Sequence, residues 1–412
     1  MMAASTREVA HVVALAAELD VPVVPFGAGT SLEGHVIPTS GGISLDLSRL
    51  DRILALRPAD LIATVQAGVT RRQLDAAARE HGLQFPVDPG ADATLGGMAA
   101  TNASGTTTVR YGGMRRNVLA LEVVLADGRV VRTGTLAPTS SAGYDLTSLL
   151  VGSEGTLGVI TALTVRLHPV DEAGAAVRAT FADVGAACSA AIALAAGGVQ
   201  VTRAELLDPW NIAAVNRYAG TSLVEAATLL VEVTGSEAVV ESNLETVAEI
   251  AREHGVLDTT IERDAAARRR LWRLRHDAAY AVMATAPGKK ARSTDICVPV
   301  SELPGAIAGA RAAVDALGLE AGISAHVADG NFHVAFMVDP GDAAELERVR
   351  RLDEVLVEDA LTRGGTCSGE HGIGIGKRAH LAREHPDLVP LYRGLKDLFD
   401  PQGILNPGKV VP

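Results

Sequence analysis

Apolar positions recur every three to four residues between 5 and 20, where Val9, Val12, Val13, Leu15, Ala16 and Leu19 share one helical face. Ser5 or Thr6, with Glu8 nearby, is placed to cap that helix. The pattern then shortens to buried β runs at 21–25, 42–47, 61–65, 119–125, 130–133 and within 159–168, with a helix at about 70–81. After Pro169 the texture changes. Strands at 177–180 and 229–234 alternate with Ala-rich helices at 186–196 and 237–254, the order of an α+β layer. The pattern predicts an α+β chain in two domains. One is built from 1–170. The second, 171–385, is an antiparallel sheet with helices on one face, and 386–412 returns to the first.

The length of 412 residues favours two cores over one. Hydrophobic residues make up 48% and aromatics only 3%, so Ala, Val and Leu must fill those cores. A net charge of −12 without a basic stripe argues against nucleic acid as a partner. The Arg-rich run Arg268, Arg269, Arg270, Arg273 and Arg275 reads as a solvated helix face, at least for its first three members. Cys188, Cys297 and Cys367 form no C-x-x-C pair and fit free thiols in a reducing compartment. No signal segment or long apolar run occurs, and the expectation is a cytoplasmic protein.

The 42 glycines cluster, which points to backbone lying close to a ligand. The loop 25–34 follows a strand, but its spacing is G-x-G-x-x-x-x-G and no helix pattern follows Gly34. That excludes a Rossmann fingerprint. Bare N–H groups with the hydroxyls of Thr30 and Ser31 still suit a pyrophosphate. A second cluster spans 86–113, where Gly96 and Gly97 sit at a helix start that favours anions. A third, 152–158, leads into a strand. Three such loops point to one large ligand carrying a pyrophosphate.

The stretches PFGAGTSLEGH (25–35), PVDPGADATLGGMAATNASG (86–105), VGSEGTLGVIT (151–161), RHDAAYA (275–281), STDICVP (293–299), HVADGNFH (326–333), SGEHGIGIGK (368–377) and DPQGILNPGK (400–409) carry a resemblance. They resemble the vanillyl-alcohol oxidase/p-cresol methylhydroxylase superfamily. Within it, the chain is similar to the branch that holds the cytochrome-type D-lactate dehydrogenases and the glycolate oxidases. The resemblance implies a p-cresol methylhydroxylase-type FAD-binding domain followed by a substrate, or cap, domain. Pro25, Gly27, Ala28, Gly29, Thr30, Ser31 and Gly34 would hold the FAD pyrophosphate. Pro89, Thr94, Gly96, Gly97, Asn102, Ser104 and Gly105 would line the flavin and ribityl side. Glu154, Gly158 and Ile160 would face the adenosine end, and Asn406 would close over the cofactor. Some superfamily members tether FAD through a histidine of this domain; none stands between 82 and 167, so non-covalent FAD is expected. Family members carry a further segment ahead of the Ser5 helix, so either the recorded start is late, the preferred reading, or the N-terminal edge of this domain is trimmed.

Asp329-Gly330 is a two-residue hairpin signal. With those two central, His326 stands directly opposite His333, with Cβ atoms about 4.5–5.5 Å apart, close enough to share a divalent metal. Glu370 is the candidate third ligand, and two imidazoles with one carboxylate leave positions open for substrate. The resemblance assigns His326, His333 and Glu370 to a metal, zinc or manganese, and His371 to general base. Ala328 stands where the family usually has Gly. The run Gly372–Lys377 lacks the spacing and the hydroxyl residue of a phosphate loop. Arg275 either pairs with a substrate carboxylate or is a surface residue of its Arg-rich helix.

The implied reaction is oxidation of a D-2-hydroxy acid, D-lactate foremost, by metal-assisted proton abstraction and transfer of the C2 hydrogen to the flavin. Glycolate or a longer D-2-hydroxy acid, a non-catalytic FAD-binding subunit and a metal-dependent hydrolase are the rivals. The implied electron acceptor is a cytochrome, a quinone or an electron-transfer flavoprotein, and any contact with the inner face of the cell membrane is peripheral.

Overall fold

The computed structural model describes residues 1–412. They form two compact units, 1–107 with 111–170 and 370–412, and 108–110 with 171–369. Segment 370–385, assigned from sequence to the second domain, is built into the first. The cause is hydrogen bonding: Ile375 N donates to Glu33 O at 2.8 Å, and Arg378 Nε donates to Val411 O at 2.8 Å. No helix is long and apolar enough to cross a membrane.

In the first unit, the helix Thr6–Glu18 is capped as its sequence indicates. Ser5 Oγ accepts from Glu8 N at 3.2 Å, and Glu8 Oε2 accepts in return from Ala4 N at 2.8 Å. Val9, Val12, Val13 and Ala16 are buried, whereas Leu15 and Leu19 flank that stripe and are exposed. Strands Val23–Phe26 and Ile43–Asp46 pair in parallel. Leu405 bridges to Val23, so the C-terminal segment joins the edge of this pair. A separate five-stranded antiparallel sheet runs in the order Ile53–Arg57, Ile62–Gln66, Val159–Arg166, Val118–Val124, Val130–Gly134. The first of these strands was not apparent in the sequence.

Lys396 fixes the C-terminal turn: its Nζ donates to Thr156 O at 2.8 Å, to Leu405 O at 2.7 Å and to Asp400 Oδ2 at 2.5 Å. Burial pushes the Lys396 ammonium pKa down, and the nearby Asp400 only partly offsets it.

The second unit holds an eight-stranded antiparallel sheet. Two of its inner strands, Ala173–Phe181 and Ala227–Gly235, are buried almost throughout, because both faces are covered. Helices Val184–Ala196 and Glu237–Glu253 pack on one face, against the strands that carry Val177, Leu229 and Val231, and Leu303–Ala316 and Ala343–Thr362 extend the same core. The expectation of helices on one face is therefore incomplete. Residues of opposite parity, Ala176 and Leu230, pack on Leu271 and Trp272 of a helix Ala265–Thr285. Pro209–Ala219 also lies on this side, through Ile212 beside Leu207 and Ala278.

Candidate active site

A cleft in the first unit is lined by Pro25, Gly27, Ala28, Gly29, Thr30 and Ser31 from the first glycine loop. The second loop contributes Pro89, Thr94, Gly96, Gly97 and Ser104, and Glu154, Gly158, Ile160 and Asn406 complete the set read from sequence. Glu370 and His371 line the same cleft. Three residues of the sequence-based set are absent from the lining. Asn102 ends the helix Leu95–Thr101 in a left-handed conformation, with its Oδ1 accepting from Arg115 N at 3.0 Å. Gly105 lets the chain pass Asp88, whose carbonyl oxygen would lie 1.8 Å from an added Cβ. Gly34, at φ +80°, makes a turn beneath Ile375.

The glycines of the lining are steric requirements. A Cβ on Gly27 would lie 2.3 Å from Thr94 Oγ1, and one on Gly96 would lie 2.5 Å from Ala67 Cβ. The cleft also holds buried polar atoms with no partner in the protein: Thr94 Oγ1, Asn406 Oδ1 and His35 Nδ1. Buried polar groups are costly unless paired, so these point to a polar ligand. Together with bare backbone at the first loop, they fit FAD. His35 ends the PFGAGTSLEGH stretch but was not assigned to the cofactor from sequence.

Loop 370–376 is held to this cleft at several points. Ser104 Oγ donates to Glu370 Oε2 at 2.9 Å. Ile373 N and Gly374 N donate to the Glu154 carboxylate at 2.7 and 2.8 Å. His371 Nδ1 lies 3.8 Å from Glu33 Oε1, and Lys377 Nζ lies 3.6 Å from the same oxygen. Glu154 therefore spends its side chain on the protein, whereas the sequence reading turned it toward the adenosine end of the cofactor.

In the second unit the hairpin register differs from expectation. Strand Ala321–His326 pairs with Asn331–Val338 so that His326 faces Asn331 and Ser324 faces His333. The turn has four residues, 327–330, with Asp329 N and Gly330 N both donating to His326 O. Only Gly330 is left-handed, at φ +78°, so the type I′ geometry, which needs two such residues, is not formed. An added Cβ on Gly330 would lie 1.9 Å from Val298 O. A shift of two positions keeps every side chain on its face, so the histidines become diagonal neighbours. Their ring centroids are 5.5 Å apart and nearly perpendicular.

Both imidazoles are buried and oriented through Nδ1. His326 Nδ1 lies 2.5 Å from Glu205 Oε1, and His333 Nδ1 lies 3.0 Å from Thr294 O. A carboxylate or carbonyl on one ring nitrogen fixes the other, Nε2, as the metal-ligating atom. Asp295, 4.0 Å from His333 Nδ1, accepts from Asn331 Nδ2 and from Ser368 Oγ. This buried cluster of His, Asp and Glu has the chemistry to hold a metal. Arg275 donates from Nε to Glu205 Oε2 at 2.7 Å, so it is an anchored residue rather than a free surface one. Burial would raise the fully buried Glu205 carboxyl, but His326 and Arg275 outweigh it and hold it below the usual range. Glu205 lies 121 residues from His326, and no spacing rule joins them. The available signal is a Glu next to the apolar Leu206 and Leu207 in the strand Val201–Leu207.

Comparison with known proteins bears on the FAD reading of the cleft. Residues 1–134 match the model of an FAD binding domain, and 170–410 match that of the C-terminal domain of FAD linked oxidases. The chain is 45% identical over 411 residues to a probable mitochondrial D-lactate dehydrogenase of Danio rerio, covering 99% of this chain and 83% of the relative. It is 41% identical to a mitochondrial D-lactate dehydrogenase [cytochrome] of Arabidopsis thaliana, covering 99% and 72%. It is 33% identical to the glycolate oxidase subunit GlcD of Bacillus subtilis, covering 98% and 87%. A solved structure of p-cresol methylhydroxylase with substrate bound shares the fold, with a TM-score of 0.82 at 18% identity over 100% of this chain and 88% of the other. With matches across both halves and a glycine-lined cleft that fits the cofactor, the chain belongs to the FAD-linked oxidases and is an FAD-dependent oxidoreductase.

Proposed function

We propose that this protein oxidises a D-2-hydroxy acid, D-lactate to pyruvate, with non-covalently bound FAD. The observation that carries the reading is His371 in the lining of the cleft that holds the glycine loop and Thr94. A proton acceptor beside a flavin site is what alcohol oxidation needs. Relatives named for D-lactate at 45% and 41% identity favour that substrate over glycolate, whose named relative stands at 33%.

When bound, FAD supplies the acceptor for the C2 hydrogen with its electron pair, and a divalent cation, zinc or manganese, supplies Lewis acidity toward the hydroxyl and carboxylate oxygens. His326 and His333 would ligate the cation through Nε2. His371 takes the hydroxyl proton on an imidazole nitrogen. Arg275, with Nε committed to Glu205, presents the rest of its guanidinium to the substrate carboxylate. Met98, Ala100 and Ala103 give the cleft wall an apolar surface. The relative named for a cytochrome supports an external electron acceptor of that class.

The test is substrate preference. The expected result is pyruvate from D-lactate with kcat/KM well above that for L-lactate and glycolate. Equal or better turnover of glycolate would reassign the substrate, and no turnover of any 2-hydroxy acid would remove the reading.

A further inference from the structure

We infer that Glu154 is a positioning residue. Its buried carboxylate latches the loop that carries Glu370 and His371 onto the wall of the FAD cleft, so that one side chain sets cofactor site and base in common register.

Several observations converge on this residue. Glu154 is 5% exposed and stands at φ +54°, a left-handed conformation that side-chain-bearing residues rarely adopt. Such backbone persists where surrounding contacts over-determine it, and it clusters at functional sites. The contacts here are specific. Its backbone N donates to Ala100 O at 2.8 Å, and its backbone O accepts from Asn406 Nδ2 at 2.7 Å. Both partners line the cleft. The two carboxylate oxygens accept separately from Ile373 N and Gly374 N, at 2.7 and 2.8 Å. Charge-assisted bonds of this kind are short and strong. His35 Nε2 lies 3.2 Å from Oε2, adding a polar neighbour on the cleft side.

The loop is shaped to receive this carboxylate. A Cβ on Gly372 would lie 2.6 Å from Glu154 Oε1, and one on Gly374 would lie 2.1 Å from Glu33 O. Both glycines have positive φ, +83° and +49°. The glycine-rich run thus serves close approach to Glu154 and Glu33, not phosphate binding. His371 sits two residues from the first latched amide, so its reach into the cleft depends on this anchor.

The inference rests on the proposed role of His371 as base, and the test separates the two. FAD-loaded wild type, Glu154→Gln and Glu154→Asp are compared in two measurements. Amide hydrogen exchange at Ile373 and Gly374, read without substrate, should speed up roughly tenfold or more in Glu154→Gln, because its amide nitrogen cannot accept one of the two bonds. Flavin reduction by D-lactate should slow on the order of 10²-fold in kcat, with KM little changed and the flavin spectrum intact. Glu154→Asp, which keeps both acceptors on a shorter stem, should recover part of both effects. Unchanged exchange at the two amides, or loss of FAD from both variants, would overturn the latch. If wild type is not reduced by D-lactate, the substrate reading fails while the exchange arm still decides the latch.

Discussion

The two units build their chemistry from opposite materials. In the first, the ligand surface is largely backbone, opened by glycines at 27, 29, 96 and 97, and it leaves Thr94 Oγ1 and Asn406 Oδ1 buried without partners. In the second, Arg275, Glu205 and His326 are tied together as side chains, Asn331 donates to Asp295, and His333 is held by the Thr294 carbonyl. A cleft with unmet polar groups gains its order from the ligand, whereas a partnered network is ordered beforehand. Cofactor binding should therefore dominate the stability of one unit, and network substitutions the metal affinity of the other.

The largest effect is expected at the cleft. His371→Asn should slow flavin reduction by D-lactate on the order of 10²–10⁴-fold while the protein stays yellow. Stopped-flow absorbance checks it, and a rate near wild type would remove His371 from the reaction. FAD itself comes next. Free FAD at a thousandfold its Kd should add about 4 kcal/mol to unfolding of the cofactor-binding unit. Calorimetry with and without FAD reads this; equal shifts in separately resolved transitions would erase the contrast between the units.

Glu205→Gln tests the partnered network. Metal affinity should fall about 10–100-fold, measured by competition with a chelator, because an amide orients His326 less firmly than a carboxylate. The smallest effect lies away from both sites. Burial would raise the Glu122 carboxyl, but hydrogen bonds from Thr6, Arg132 and Thr161 more than offset it and hold it low. A lowered native pKa contributes stability above the unfolded value and loses it as pH falls through the folded one. Glu122→Gln should cost about 1 kcal/mol at pH 7, and the gap to wild type should shrink in acid. A constant gap across pH in urea melts would contradict that assignment.

Much of this is legible where local rules suffice. The Ser5 cap, the stripe of the first helix and the strands around Pro169 follow from period and capping chemistry. The hairpin shows where local rules stop. Asp329-Gly330 signals a two-residue turn, but Gly330 packs against Val298 O from a segment about thirty residues away, and the turn opens to four residues. The histidines stay neighbours because the slip is even. The resemblance turns Glu154 toward the adenosine end of the cofactor, and its own stretch carries no sign of the loop it holds. Its partners, Ile373 and Gly374, are 219 and 220 residues away and meet it through the fold. Helices on both faces of the second sheet are signalled by strands buried on successive residues, a pattern that short apolar runs make ambiguous.

The central claim is that this cleft joins FAD to oxidation of a 2-hydroxy acid. It is tested most directly by anaerobic titration of the purified, FAD-loaded protein with D-lactate while flavin absorbance is followed. The account predicts stepwise bleaching that ends near one equivalent per flavin, with pyruvate formed in the same amount. Absorbance that stays unchanged through a large excess of D-lactate, glycolate and longer D-2-hydroxy acids, with metal supplied, would contradict it.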